Sequence, residues 1–419
     1  MTAQPTRPDA RGVEETNAFQ SAANSLFVLH VITGVNVGGA ERMLLKLIAN
    51  EHASPIRLRQ EVVSLMPPGR VGEELVAAGV PLYSLDMQAG VPSPSALLRL
   101  RRLVSRLNPD IVVGWMHHAF LAATAAGLGR SSPPVVWNVR HSLHDIRREK
   151  PLTRAVLNLC AKLSGAPAAI IYNAAASKAQ YSEFGFRNRR IRTIENGFDA
   201  GQFRPRSDAR KILESAFGFS SDDFVIASVA RCHAMKDPKT LIDAVGRLSR
   251  SGYKARLLLV GDGYESPPAD ILHEIDTSLP DKSAVLSGHR DDLANWLGGV
   301  DVFALSSAWG EGFPNVLGEA LACGAPCVTT DVGDSAAVVA GAGHSVPPGD
   351  PGAFANALED LAGMSREERR AIGQAGRARV LQHYAIDRIV ERYSALYKEI
   401  LSEDCAHVSS TAAAAGATP

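Results

Sequence analysis

Two carboxylates eight residues apart carry the most specific chemistry in the chain. The apolar run 302–305 leads into Ser306-Ser307-Ala308-Trp309-Gly310-Glu311-Gly312-Phe313-Pro314-Asn315-Val316-Leu317-Gly318-Glu319. This reads as a strand, a glycine-flanked Glu311, and a helix with Pro314 near its first position, where a missing N–H is harmless. Free amides at a helix start can meet phosphate or sugar oxygens. At a rise of about 1.5 Å per residue, Glu319 lies about 7 Å along that helix, so one carboxylate can reach a sugar while the second reaches a ribose. Carboxylates accept well from hydroxyls, and a doubly held polyol discriminates against analogues that lack them. Glycine on both sides of Glu311 weakens the plainer alternative of two solvated surface charges.

A second apolar run, 225–229, opens into Ala230-Arg231-Cys232-His233-Ala234-Met235-Lys236-Asp237-Pro238. Two cations at the carboxyl end of a strand suit a diphosphate, Arg231 as a planar fork and Lys236 as a compact charge. Taken alone, the pair more readily describes an exposed loop whose cations face water. Gly261 in Val260-Gly261-Asp262-Gly263, and His289 and Arg290 in Ser287-Gly288-His289-Arg290-Asp291, end two further strands on the same rim and could border a nucleobase. Gly-Asp-Gly is a common turn, so that signal is weak by itself.

Together these residues resemble family-4 glycosyltransferases of the GT-B fold. Glu311 and Glu319 meet the family's E-x7-E motif, Arg231 and Lys236 match its donor-phosphate pair, and EGFPNVLGEALACGAPCVTTDVGD is similar to its donor-binding segment almost throughout. The resemblance runs from about Leu26 to Tyr397. It implies a retaining hexosyl- or glycosyltransferase using a nucleotide-sugar donor, with a UDP-sugar as the family-based expectation. It places Glu311 at the transferred sugar, Glu319 at the ribose, and Arg231 and Lys236 at the departing diphosphate. Gly261, His289, Arg290, Gly312, Phe313, Pro314, Asn315, Val316 and Leu317 are carried as donor contacts. The implied architecture is α/β, GT-B, with two Rossmann-like doubly wound domains facing a central cleft. Epimerases and phosphorylases share the fold, so transfer to a new acceptor does not follow from fold alone. A nucleotide-sugar epimerase and a non-catalytic sugar-nucleotide-binding protein stand as alternatives; no phosphorylase-like cofactor lysine motif is present.

The acceptor side is sketched by the first strand's exit, Gly34-Val35-Asn36-Val37-Gly38-Gly39-Ala40-Glu41-Arg42, similar to the family's GGAER turn. Gly38 and Gly39 allow close backbone approach to the sugar–phosphate junction or the acceptor. No full GxGxxG with an acidic partner follows, which disfavours a dehydrogenase. Trp115-Met116-His117-His118-Ala119 ends another strand where related enzymes carry a functional histidine; spacing favours His118, with His117 the other choice. Asn138, Arg140 and His141 follow a further strand and are expected to line the acceptor cleft. The expected acceptor is a glycan or lipid-linked sugar in surface-polysaccharide or glycolipid assembly.

No Asp-x-Asp occurs in the chain. Diphosphate stabilisation is therefore expected from Arg231, Lys236 and helix amides, with no cofactor or required metal. No carboxylate is identifiable as a nucleophile for double displacement, which favours same-face attack assisted by the leaving phosphate, with His118 positioning or polarising the acceptor.

The elements that must hold these groups follow from patterning. With 419 residues and 46% hydrophobic content, the chain has room for two ordinary domains with sizeable cores. Net charge is zero, but residues 1–200 hold 23 Lys+Arg against 15 Asp+Glu and residues 201–419 hold 21 against 29. Neutrality argues against nucleic acid as main partner, and the basic first half suits an anionic surface. Strands are expected at 26–33, 61–65, 82–85, 111–115, 135–139, 169–172 and 191–194, then 225–229, 256–260, 284–286, 302–305 and 327–329. The short apolar runs alternating with helices imply parallel sheets covered on both faces. A hinge is placed after Asn196-Gly197-Phe198-Asp199. The domain expectation is a loose tail at 1–24, an acceptor domain at 25–198, a donor domain at 199–384, a helix at 385–405 returning to the first domain, and a tail at 406–419. Five cysteines without CxxC read as reduced cytosolic thiols. Residues 111–129 are nearly uncharged, yet two histidines and a turn favour strand, turn and helix over a membrane span. Residues 97–107, with Arg99, Arg102 and Arg106 on one face and Leu97, Leu100, Val104 and Leu107 on another, could bring a cytoplasmic enzyme peripherally to anionic lipid. Packing against a sheet is the ordinary alternative.

Overall fold

The computed structural model describes residues 25–36, 38–88, 93–127, 129 and 132–415, excluding the side chains of 148 and 404–415. The expected tail at 1–24 lies outside the described residues. Short runs rich in Val, Ile and Leu form β1 (Leu26–Ile32), β2 (Leu58–Ser64), β3 (Leu82–Ser84), β4 (Ile111–Trp115), β5 (Val135–Val139), β6 (Ala169–Tyr172) and β7 (Ile191–Thr193). A second series comprises β8 (Phe224–Val229), β9 (Ala255–Val260), β10 (Ala284–Ser287), β11 (Val302–Leu305), β12 (Cys327–Thr330) and β13 (Gly343–Val346). The first sheet has the order β3-β2-β1-β4-β5-β6-β7 and the second β10-β9-β8-β11-β12-β13. β1 pairs in parallel with β2 and β4, and β8 with β9 and β11. β4, β6, β11 and β12 are buried along their whole length, as strands with helices on both faces must be. These are two Rossmann-like α/β sheets.

By compactness the chain divides into residues 1–137 with 390–419, and residues 138–389. The expected division at 198/199 follows sheet membership instead. Residues 138–198 cluster with the second sheet because Phe198 is buried in its core and Asn196 donates to the carbonyl of Phe313, 3.0 Å away.

Two elements depart from the sequence reading. β13 was not expected: Gly343, His344 and Ser345 give no apolar run, and the strand exists because β12 offers a free edge, Cys327 to Thr330 pairing with Gly343 to Val346. The helical tail that the patterning predicts from about Ser365 to Glu403 is two helices, Arg366–Arg379 and Ile386–Ala415, separated by a wide turn at Val380–Tyr384. Phe198 fills the break, donating its N–H to Tyr384 at 2.8 Å and accepting from Ile386 at 3.0 Å. The second helix continues past the expected end near 405 through an alanine-rich stretch with good helix propensity. Residues 416–419 lie outside the described residues.

The amphipathic segment forms the helix Pro94–Leu107, opened by Pro94 after Ser93, whose hydroxyl accepts from the Ala96 N–H at 3.2 Å. Ala96, Leu100, Leu103 and Val104 are its buried face; Leu97, expected there, is exposed. Arg99, Arg102 and Arg106 are exposed. No helix among the described residues is long and apolar enough to cross a membrane; 111–115 is β4 and His117–Ala126 a helix.

In the first sheet, His30 is completely buried, with its Nδ1 accepting from the Trp115 indole N–H at 3.1 Å and its Nε2 3.0 Å from the Gln60 carbonyl oxygen. That arrangement fixes the neutral Nε2–H tautomer. Burial lowers its pKa from 6.5 to about 4. The unfolded chain therefore binds this proton more tightly, so stability is unaffected above about pH 7 and falls as pH drops toward 4, by about 3 kcal/mol. Urea melts across pH 4–7 should show this limb in the wild type and lose most of it in His30→Gln. Gly318 is a packing requirement: a Cβ there would lie 2.1 Å from the Phe198 ring. Gly318→Ala should lower stability by about 1–3 kcal/mol in thermal melts.

Candidate functional site

Two loops at strand ends build the donor-side constellation, both within residues 138–389. After β8, His233 accepts the Met235 N–H at 3.1 Å, and the single turn Ala234–Lys236 follows. Asp237, with φ +45°, starts the helix Pro238–Arg250 by accepting the Thr240 hydroxyl at 2.6 Å. After β11, the Ser306 hydroxyl donates to the carbonyls of Lys236 (2.9 Å) and Asp237 (3.0 Å), and the Ala308 N–H donates to Met235 O at 2.9 Å. The two loops are thereby laced together.

Within that lacing, Glu311 is buried and its Oε1 accepts from the Lys236 ammonium and from the Ser307 hydroxyl, the latter at 2.5 Å. Ser307 O in turn accepts from Thr330 Oγ1 at 2.6 Å. A carboxylate at 7% exposure is tolerated because it is both ion-paired and hydrogen-bonded. Gly310 sits at φ +79°, a left-handed conformation that strains a residue bearing a Cβ, so the turn into Glu311 favours glycine. The helix Asn315–Ala322 follows, with Pro314 before it, and carries Glu319 at 8% exposure. Arg231 is exposed, with no ion pair among the described residues. Sequence reasoning found Lys236 and Glu311, and the structure joins them directly. Among the described residues no group of three His, Cys, Asp or Glu is placed to hold a metal ion. Cavities of about 620 Å³ by Arg187 and Asn188, and about 880 Å³ by Glu51 and Gln60, are lined by none of these residues.

Several expected donor contacts have other employment. Phe313 belongs to the core, stacked on Phe198 at 6.0 Å and edge-on to Tyr384 at 5.0 Å. Leu317 is wholly buried and Val316 packs on the same core. Arg290 pairs with Asp292 through two N–H groups and lies 5.3 Å over the Phe217 ring, so it braces the helix Ala209–Phe217. His289 is exposed between Asp262 (3.6 Å) and Asp291 (3.1 Å). Gly261 serves close approach: its Cβ would be 2.2 Å from Ala230 O, directly beside Arg231. Asn315 accepts from Asn196 at 2.8 Å.

Asn196 ends a polar chain that sequence reasoning missed. Asn138 is fully buried and accepts from Arg140 Nε at 2.9 Å; Arg140 donates to Asn196 Oδ1 at 2.5 Å, and Asn196 reaches Phe313 O and Asn315. Asn138 and Arg140, expected to face an acceptor, are thus engaged in bracing the start of the Asn315 helix. His141 has both ring nitrogens occupied, Nε2 by Glu149 at 3.3 Å and Nδ1 by Tyr181 at 3.5 Å. The hydrogen bond from His141 lowers the Glu149 pKa. Only the Asn196-Gly197 turn signal hinted at this chain; Ser307 had no signal beyond its place in the motif.

In the other unit, residues 1–137, Gly38 precedes the helix Gly39–Ala49, and the Glu41 carboxylate folds back so that a Cβ on Gly38 would meet it at 2.3 Å. Burial raises the Glu41 pKa. Met116, a non-glycine at φ +70°, turns β4 into the helix His117–Ala126. His117 is buried edge-on against Phe120 at 5.6 Å, whereas His118 is partly exposed, with its pKa lowered by burial. Of the two histidines, His118 is the accessible one.

Two family models match in chain order, Glycosyltransferase Family 4 over residues 37–202 and Glycosyl transferases group 1 over residues 223–363. The chain belongs to the GT-B glycosyltransferases. This GT-B chain is 26% identical to EpsF of Bacillus subtilis over 313 residues, covering 73% of the chain and 79% of EpsF. It is 29% identical to the Escherichia coli UDP-Gal:alpha-D-GlcNAc-diphosphoundecaprenol alpha-1,3-galactosyltransferase, across 40% of the chain and 44% of that enzyme. The fold matches Anabaena Alr3699/HepE, solved in complex with UDP-glucose, with a TM-score of 0.74 at 21% identity, covering 90% of this chain and all of the other.

Removing the ammonium strands a buried carboxylate, so Lys236→Ala should cost about 3 kcal/mol in denaturant melts. Lys236→Met combined with Glu311→Gln should recover much of that loss, as a double-mutant cycle would show.

Proposed function

We propose that this protein is a retaining transferase that takes a sugar from a nucleotide-sugar, preferentially a UDP-sugar, and passes it to a glycan or lipid-linked acceptor in surface-polysaccharide or glycolipid assembly. The observation that carries the reading is the buried Glu311 carboxylate held by Lys236 and Ser307 at the threshold of the Asn315–Ala322 helix. A diphosphate beside Lys236 would meet its ammonium, the exposed Arg231 and the amides that open that helix. Lys236 would then be shared between Glu311 and the leaving phosphate. Glu311 accepts from hydroxyls of the transferred sugar, and Glu319 from the ribose. The UDP preference is supported by the galactosyltransferase relative and by the UDP-glucose complex of the structural neighbour.

The reaction in this proposal is same-face displacement. The bond from the anomeric carbon to the β-phosphate oxygen breaks with its electron pair going to the phosphate. The acceptor oxygen attacks from the side being vacated and gives its proton to that phosphate. Positive charge and amide dipoles stabilise the departing diphosphate, so the proposal requires no divalent cation. His118, neutral near pH 7 with its pKa lowered by burial, positions or polarises the acceptor hydroxyl. The exposed arginines of the Pro94–Leu107 helix support peripheral contact with anionic lipid on the cytoplasmic face of the membrane.

Incubation with a panel of UDP-sugars and lipid-linked or soluble acceptors tests the reading. UDP release with a glycosylated acceptor supports it. An altered sugar nucleotide without acceptor indicates epimerisation, and binding without turnover across the acceptor panel indicates a non-catalytic binder. Glu311→Gln and Arg231→Ala should each lower kcat by about 100-fold or more in folded protein. Near-normal rates in either would overturn the donor-site assignment.

A further inference from the structure

We infer that Asp334 is a positioning residue for Glu311, acting through the start of the Ala175–Phe184 helix; the inference rests on the donor-site reading above. That helix begins after Ala174, which has no side chain able to cap it. Its first amides are satisfied instead from far along the chain: Asp334 Oδ2 accepts from the Ala175 N–H at 2.6 Å and Oδ1 from the Ala176 N–H at 2.9 Å. The positive end of the helix dipole favours a carboxylate in that place. On its main chain, Asp334 donates its N–H to Gly312 O at 2.8 Å. One residue therefore grips the helix start with its side chain and the turn directly after Glu311 with its backbone.

The surroundings leave this grip little slack. Gly333, at φ +64°, runs so close to the turn that a Cβ would lie 2.3 Å from Glu311 O and 2.7 Å from Gly312 O. Gly312 also faces Asn173 and Ser177, whose Oδ1 and Oγ are 3.3 and 3.2 Å from the place a Gly312 Cβ would occupy. Asn173 is 4% exposed and Ser177 0%, and neither of those oxygens has a hydrogen-bond partner among the described residues. Unpaired buried oxygens oppose close packing, so this wall is not held against Gly312 by bonds of its own. The Asp334 carboxylate supplies the missing attachment. Without it the helix start is free to draw back, the turn gains room, and the Glu311 carboxylate loses its place relative to a sugar. Catalysis is sensitive to displacements of about 1 Å at such a group, which can cost about 100-fold.

Turnover of the UDP-sugar selected by the panel, measured as UDP release, separates this role from a merely structural one. Asp334→Ala should lower kcat about 30- to 100-fold while the dissociation constant for UDP, measured by calorimetry with its stoichiometry reporting the folded fraction, stays within about threefold. Asp334→Asn keeps one accepting oxygen without the charge and should fall between Asp334→Ala and the wild type; it carries the test if Asp334→Ala does not fold. Asp350→Ala is the control, because Asp350 accepts from Ala353 at 2.9 Å at the start of another helix in the same unit. It should lose a comparable amount of Tm and retain kcat. Equal kcat values in wild type, Asp334→Ala and Asp334→Asn would overturn the inference, as would equal kcat losses in Asp334→Ala and Asp350→Ala. A wild type that turns over no donor would instead overturn the donor-site reading itself.

Discussion

A carboxylate at 7% exposure is costly unless its charge and lone pairs are answered, and at Glu311 the answer comes from one residue distant in sequence and one four positions away. The Lys236 ammonium reaches it from the loop after β8, and the Ser307 hydroxyl from the exit of β11. Ser306 and Ala308 then bind the main chain of the Lys236 loop, so the pair cannot form unless both loops take one conformation. Parallel strands put both loops at the same edge of the sheet, which is why a doubly wound fold can build such a cluster at all.

Close backbone approach is the second constraint, and it explains glycines that do not touch a ligand. Gly261 lets the exit of β9 pass against Ala230, while Gly310 and Gly333 let the Glu311 turn pass between Met235 and its neighbouring loop. Polar side chains complete the frame. The chain from Asn138 through Arg140 and Asn196 to Asn315 fixes where the Asn315–Ala322 helix starts, and a helix start is where anion-binding amides are found.

Much of this was legible in sequence. The strand and helix alternation, the strand ends, and the types and order of Arg231, Lys236, Glu311 and Glu319 follow from hydrophobic patterning and motif spacing. Side-chain employment was less legible. Phe313, Leu317 and Arg290 lie within or beside the motif, yet Phe313 and Leu317 fill the core and Arg290 pairs with Asp292. A motif records that a residue is needed without recording whether it is needed for packing or for contact. Asp334 lay at the end of the recognisable donor segment, and nothing in its local sequence pointed to the amides of Ala175 and Ala176.

By itself the sequence determined what depends on near neighbours: which runs are apolar enough to be buried strands, where glycine and proline end them, and which charged types stand at strand exits. Tertiary structure alone decided what depends on separation in the chain. It formed β13 because β12 had an edge to pair, broke the last long helix because Phe198 occupies the gap, and left His118 rather than His117 accessible because Phe120 packs against the latter. Local propensity acts over a few residues, whereas burial, pairing of charges and satisfaction of amides are settled only when distant segments meet.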